Sequence, residues 1–158
     1  IFEVNLFGTM SIIRPALRRM LESRRGHVLI CSSCLARMPI AHGGAYSATK
    51  AAQHHLARAM RIELAPNGVC VSSVHPIGTR TEFFDVAGSD VNGSGPPEAF
   101  MQDAGVVAAH VVRCLRRPRP EAEVWPGMMA RAVRLAMAGL SVWPALGDAV
   151  MRRADRNK

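Results

Sequence analysis

Tyr46 and Lys50 stand four residues apart in a stretch with helical periodicity, so the phenol and the ammonium share one helix face, a turn apart. An ammonium beside a phenol favours the phenolate and lowers a pKa that is about 10 when unperturbed. Such a tyrosine can exchange a proton near neutral pH. Ser33 lies thirteen residues before Tyr46, just past a short apolar run, with a hydroxyl able to donate or accept. Pro76, Ile77, Gly78, Thr79, Arg80 and Thr81 leave a second apolar run and offer a ligand backbone amides and two hydroxyls. The chemistry open to this set is proton transfer to or from a substrate oxygen.

The elements that must position these residues follow from hydrophobic spacing. Leu6, Met10, Ile13, Leu17 and Met20/Leu21 recur at helical spacing over residues 1–24, with Pro15 expected to kink the helix or mark an irregular start. Residues 27–31 read as a strand buried on both faces, since their hydrophobicity is continuous. Residues 32–44 are a loop. A helix over 45–64 ends at Pro66 and Gly68, and 69–75 is a second strand. Residues 77–97 lack periodicity and read as a long loop of the kind that forms lids or binding segments. A helix is expected over 98–117, a short strand over 121–125, and two helical pieces over 128–153 broken at Pro144. Alternation of helix and strand predicts an α/β fold with a parallel sheet. Ligands bind such sheets at the carboxyl ends of the strands, where Ser33 and Pro76 both stand. Three strands make a thin sheet, and the first has no neighbour on its N-terminal side, which suggests an upstream part.

Four motifs in order, Val4-Asn5-Leu6-Phe7-Gly8, Cys31-Ser32-Ser33, Tyr46-Ser47-Ala48-Thr49-Lys50 and Pro76-Ile77-Gly78-Thr79-Arg80-Thr81, resemble those of short-chain dehydrogenases/reductases over residues 1–125. The resemblance implies a partial, doubly wound, Rossmann-like α/β domain at 1–125 followed by a basic helical tail at 126–158. It implies an NAD(P)-dependent oxidoreductase interconverting an alcohol and a ketone or aldehyde. In that reading Tyr46 is the general acid in reduction or the base in oxidation, and Lys50 holds the nicotinamide ribose and lowers the tyrosine pKa. Ser33 binds the substrate oxygen and stabilises its developing charge, while Asn5 orders a proton-relay water near Lys50. Tyr46, Lys50, Pro76, Ile77, Gly78, Thr79 and Thr81 contact the cofactor. Ile77 departs from the family's usual Gly at that place, with Gly78 one residue later. The Gly-rich cofactor turn is missing, because Gly88, Gly93 and Gly95 neither follow a strand nor open a helix. The choice between NAD and NADP is therefore not legible, and the chain reads as the second half of the enzyme, inactive alone. The alternative is a non-catalytic module that acts through dimerisation. The helices over 1–24 and 45–64 are the expected homo-oligomer contacts, since the family commonly packs them against a second subunit.

The remaining features narrow the setting. The net charge of +8 is mostly arginine, gathered at 14–25, 113–119 and 152–156. Basic residues suit helix C-termini, and without interleaved aromatics a nucleic-acid groove has little support. The Cys31-x-x-Cys34 pair lacks the second ligand pair that zinc needs. It also closes a strand instead of opening a helix, so free buried thiols in a reducing cytoplasm are expected. No signal peptide fits the opening residues. His42, His54, His55, His75 and His110 read as surface or packing residues, and Ser32 as structural. Phe83, Phe84 and Val86 suggest a small apolar substrate. In the tail, Arg131, Arg134, Arg152 and Arg153 flank apolar residues. Docking on the chain's own cleft or on a dimer partner is the first reading, and contact with an anionic membrane the second.

Overall fold

The computed structural model describes residues 1–84 and 96–156. A π-helical turn, Glu3–Phe7, leads into helix α1, Gly8–Glu22. Then come β1 (Gly26–Cys31), α2 (Gly44–Leu64), β2 (Val69–Val74), β3 (Gly78–Arg80), β4 (Met101–Asp103), α3 (Ala104–Arg116), β5 (Glu123–Val124), α4 (Gly127–Val142) and α5 (Pro144–Arg156). Strands β1, β2 and β5 form a parallel sheet in the order β1-β2-β5, with Gly26 opposite Val69 and Val74 opposite Val124. The fold is Rossmann-like α/β, as the alternation of elements predicts.

Side-chain alternation along the strands sends residues to two helical layers. Val28, Ile30, Val69 and Val71 pack against Ala57, Met60 and Leu64 of α2 and against Ile13, Leu17 and Met20 of α1. On the opposite face Leu29, Val74 and Val124 meet Val107, Val111 and Cys114 of α3. Burying each of the larger side chains contributes about 1.5–3 kcal/mol. A third cluster joins Cys34, Met38, Ile77 and Trp125 to Ala130 and Met137 of α4. The tail therefore packs on the turn that follows Ser33. This favours the reading in which it docks on its own chain.

At Gly68 the chain turns from α2 into β2. Its φ is +76°, and an added Cβ would stand 2.3 Å from the Arg24 carbonyl oxygen. Only glycine meets both demands.

Four expectations change. The first helix is irregular at its π-helical start, while Pro15 lies within the α-helical part. The segment after Pro76 is not all loop, since Gly78–Arg80 pairs in parallel with Met101–Asp103. Residues 85–95, with Val86, Gly88, Gly93 and Gly95, lie outside the described residues. The helix expected from residue 98 starts at Ala104 because the Asp103 carboxylate accepts from the Gly105 N–H at 2.7 Å and caps it there. Glu98–Phe100 before it is a 3-10 turn held by an Arg80–Glu98 ion pair. Finally, Cys31 is exposed, not buried, at the end of a strand with one neighbour among the described residues, and Cys70 is half-buried, whereas Cys34 and Cys114 are buried thiols. Among the described residues, no helix is long and apolar enough to cross a membrane.

Candidate active site

Ser33 and Pro76 leave neighbouring parallel strands at the same end. The Ser32 N–H donates to the Val74 carbonyl and the Cys34 N–H to the Pro76 carbonyl, both at 2.9 Å, so the two exits are stitched together. Ser33 has extended backbone and caps the 3-10 turn Cys34–Ala36, its Oγ accepting from the Leu35 N–H at 3.1 Å. With a lone pair engaged there, the hydroxyl proton is left to donate outward.

Tyr46 and Lys50 come to the same place from the first turns of α2. Ser32 Oγ donates to the Lys50 carbonyl at 2.8 Å, and Lys50 Nζ donates to the Cys31 carbonyl at 3.0 Å. The ammonium lies 5.6 Å from the centre of the Tyr46 ring, over the face of the ring. This alters the electrostatics that spacing alone implies. Burial pushes the Tyr46 phenol above its ordinary value, and a hydrogen bond from Ser33 opposes that shift. Burial also pulls the Lys50 ammonium down. The expected lowering of the phenol by Lys50 is absent here, because the ammonium is engaged at Cys31 and desolvation dominates.

Asn5 sits in the π-helical turn. Its Nδ2 donates to Thr49 Oγ1 at 3.1 Å, and Thr49 Oγ1 donates to the Tyr46 carbonyl at 2.7 Å. The Asn5 carbonyl accepts from Thr9 Oγ1 at 2.7 Å and from Gln53 Nε2 at 2.6 Å. Gln53 is buried and was missed by sequence reasoning. The signal was available, since Tyr46, Lys50 and Gln53 continue one helix face at i, i+4 and i+7.

The second loop divides its residues between core and cleft. Ile77 is buried with Trp125, Ala130 and Met137; the side chain standing where the family has Gly fills the core. Thr79 Oγ1 donates to the Ile77 carbonyl at 2.9 Å, and Thr81 Oγ1 accepts weakly from the Phe83 N–H at 3.3 Å. Phe83 tilts against the Tyr46 ring at 5.7 Å and meets Phe84 edge-on at 5.2 Å. The phenol thus has an apolar neighbour.

Behind Ser33 lies a buried polar group that sequence reading had taken as packing. His75 stacks on Trp125 and meets His54 edge-on. Glu123 receives a two-pronged bond from Arg37 at 2.7 and 2.8 Å, which helps hold its carboxyl below the ordinary range despite burial.

A short chain dehydrogenase model matches residues 1–92. The chain is 38% identical over 81 residues to a vibriobactin-specific 2,3-dihydro-2,3-dihydroxybenzoate dehydrogenase of Vibrio cholerae, covering 51% of this chain and 31% of the relative. It is 37% identical over 93 residues to a 3-alpha-(or 20-beta)-hydroxysteroid dehydrogenase of Mycobacterium bovis, covering 58% and 35%. It spans about a third of the length of these curated relatives. Among solved structures, a short chain dehydrogenase of Burkholderia cenocepacia in complex with NADP superposes with a TM-score of 0.70 at 29% identity, over 96% of this chain and 58% of that one. The matching model over more than half of the chain, together with these relatives and the shared fold, shows that the chain belongs to the short chain dehydrogenase family of oxidoreductases.

Proposed function

We propose that this chain carries the proton-transfer centre of an NAD(P)-dependent oxidoreductase acting on a small apolar alcohol or carbonyl compound. The observation that carries the reading is the meeting of Ser33, Tyr46 and Lys50 at the carboxyl end of parallel strands. A nicotinamide cofactor fits the donor set. Lys50 Nζ spends one N–H on the Cys31 carbonyl and keeps two for a diol such as ribose. Pro76, Gly78, Thr79 and Thr81 line the neighbouring strand exit and would face the rest of the cofactor; the expected contact by Ile77 is not part of this proposal, because its side chain is turned into the core. When bound, the reduced cofactor would supply the hydride. The chain's own residues supply the proton and the grip on oxygen. Ser33, whose O–H makes only a long contact with Cys34 Sγ at 4.0 Å and a bond toward Tyr46, would turn it to the carbonyl oxygen as charge builds there. Tyr46, kept protonated by burial, gives up its proton to that oxygen in carbonyl reduction and recovers it in the reverse direction. Asn5, through Thr49, steadies the first turn of α2 from which Tyr46 and Lys50 project, and its expected relay water belongs to the same proposal. Phe83 and Phe84 support an apolar substrate.

The Gly-rich turn for the cofactor's pyrophosphate is not among these residues, so turnover is to be measured on the full-length protein. NADH or NADPH oxidation against a panel of apolar ketones is the expected activity. Tyr46→Phe should lower kcat at least about 100-fold while cofactor binding persists. Turnover of the Tyr46→Phe protein at the unmodified rate would overturn the assignment.

A second reading, an interaction module, is favoured by the outward side of α1. Met10 and Ile12 are exposed there, as are Val4 and Phe7 in the π-helical turn before it. We propose that this face and α2 form a homo-oligomer contact, which is compatible with the enzymatic reading.

A further inference from the structure

We infer that His75 is a positioning residue for Ser33: its imidazole holds the Ser33 peptide so that the serine hydroxyl stays aimed at the substrate oxygen. The inference rests on the reading of Ser33 as an oxygen-binding group.

His75 follows β2 and is fully buried, with 0% exposure. Its Nδ1 lies 3.0 Å from the Ser33 carbonyl oxygen and its Nε2 lies 2.9 Å from Ser73 Oγ. A carbonyl oxygen can only accept, so Nδ1 carries the hydrogen. In the neutral ring Nε2 then has a lone pair, which accepts the Ser73 hydroxyl proton. One tautomer satisfies both bonds, and burial keeps the ring neutral by pulling its pKa down. The ring plane is fixed as well. Trp125 stacks at 4.8 Å with 12° between planes, and His54 meets another side at 5.0 Å.

Ser33 needs such a hold because it stands where extended strand passes into a 3-10 turn. Its carbonyl receives two donors, His75 Nδ1–H and the Ala36 N–H at 3.1 Å. The Leu35 N–H, one peptide further on, sets the direction of Oγ. Rotating the Ser33–Cys34 peptide would break the carbonyl bonds and carry the Leu35 amide away from Oγ. His75 thus acts on the reaction only through Ser33, across the seam between β1 and β2.

Two amide replacements separate the two ring nitrogens. The nitrogen of Asn occupies the place of Nδ1 and can still donate to Ser33, whereas that of Gln reaches the place of Nε2 and Ser73. In the full-length protein, His75→Leu and His75→Gln should each lower kcat about 10-fold, the worth of one buried hydrogen bond, with cofactor KM within about twofold. His75→Asn should stay within about threefold of the unmodified enzyme. In a double-mutant cycle, His75→Leu should cost less than about twofold once Ser33→Ala is present, since the two act as a unit. An undiminished loss on the Ser33→Ala background, or rescue by Gln and not Asn, would overturn the inference. A Ser33→Ala protein with full activity would instead sink the reading of Ser33. Nitrogen NMR of the histidine rings gives a check independent of turnover. The His75 ring should be neutral with hydrogen on Nδ1 at pH 7, and a ring protonated on Nε2 alone overturns the geometry.

Discussion

Burial decides the protonation of more than Tyr46. His54 is 2% exposed, and neither ring nitrogen has a hydrogen-bond partner. Desolvation first, with Arg37 and His75 adding to it, pulls its pKa from the ordinary 6.5 down to about 4. The sign follows from linkage. Above pH 6.5 the ring is neutral in both folded and unfolded chains, and no stability depends on it. Between 6.5 and 4 the unfolded chain takes up a proton that the folded chain refuses, so stability falls as pH drops, by about 1.4 kcal/mol per pH unit in the middle of that window. His54→Leu removes the titrating group and breaks no hydrogen bond, and Glu123, 3.9 Å away, keeps its bonds from Arg37. Urea unfolding at pH 7 and pH 5 should therefore show a smaller acid loss in the variant, and equal losses would refute this account. Tyr46, Lys50 and Ser33 are nameable from residue types and spacing, and Asn5 only from the family resemblance. His54 and His75 are not, because what makes a histidine matter is the set of atoms around it, and those come from β2, α2, the stretch from Ser33 to Arg37 and the end of β5.

At the level of elements, hydrophobic period located α1, α2, β1, β2 and both tail helices within a few residues. It failed where a single polar bond outweighs a periodic pattern. Phe100 falls inside the helix expected over 98–117, yet the Asp103 cap starts the helix after it. Strands β3 and β4 were invisible, since three residues each show no alternation and their pairing partner lies more than twenty positions away. The docking of the tail was readable only as one of two options. Its α4 helix is apolar on both sides: Met137 is 7% exposed and faces the core, and Leu135 is 74% exposed. Met137→Ala should destabilise the protein by about 2–3 kcal/mol through the cavity left beside Trp125 and Met38. Leu135→Ala should change stability by less than about 0.5 kcal/mol. Denaturant titration of both checks the orientation of the helix, and the reverse ranking would contradict it.

On the scale of the whole molecule, α1 holds no buried residue. Its inner side, Ile13, Leu17 and Met20, leans on the core, while Ile12 on the outside is 76% exposed and Ile62 of α2 is 78% exposed. Isolated exposed apolar residues are ordinary, but a cluster of them marks an interaction surface. Sedimentation of the full-length protein should show an oligomer that Ile12→Glu shifts toward smaller species; an unshifted distribution would move the contact elsewhere. The sheet also has an edge to account for. The polar groups of a strand residue point sideways in alternation, and the Ser32 N–H faces β2. Cys31 therefore presents its carbonyl to the far side, where β1 has no neighbouring strand among the described residues. Lys50 donates to that carbonyl. Among the described residues the ammonium is thus the donor to that strand oxygen, and replacing Lys50 by a side chain that cannot donate removes this bond. Part of the deficit measured in such a variant belongs to backbone geometry just upstream of Ser33, not to lost charge.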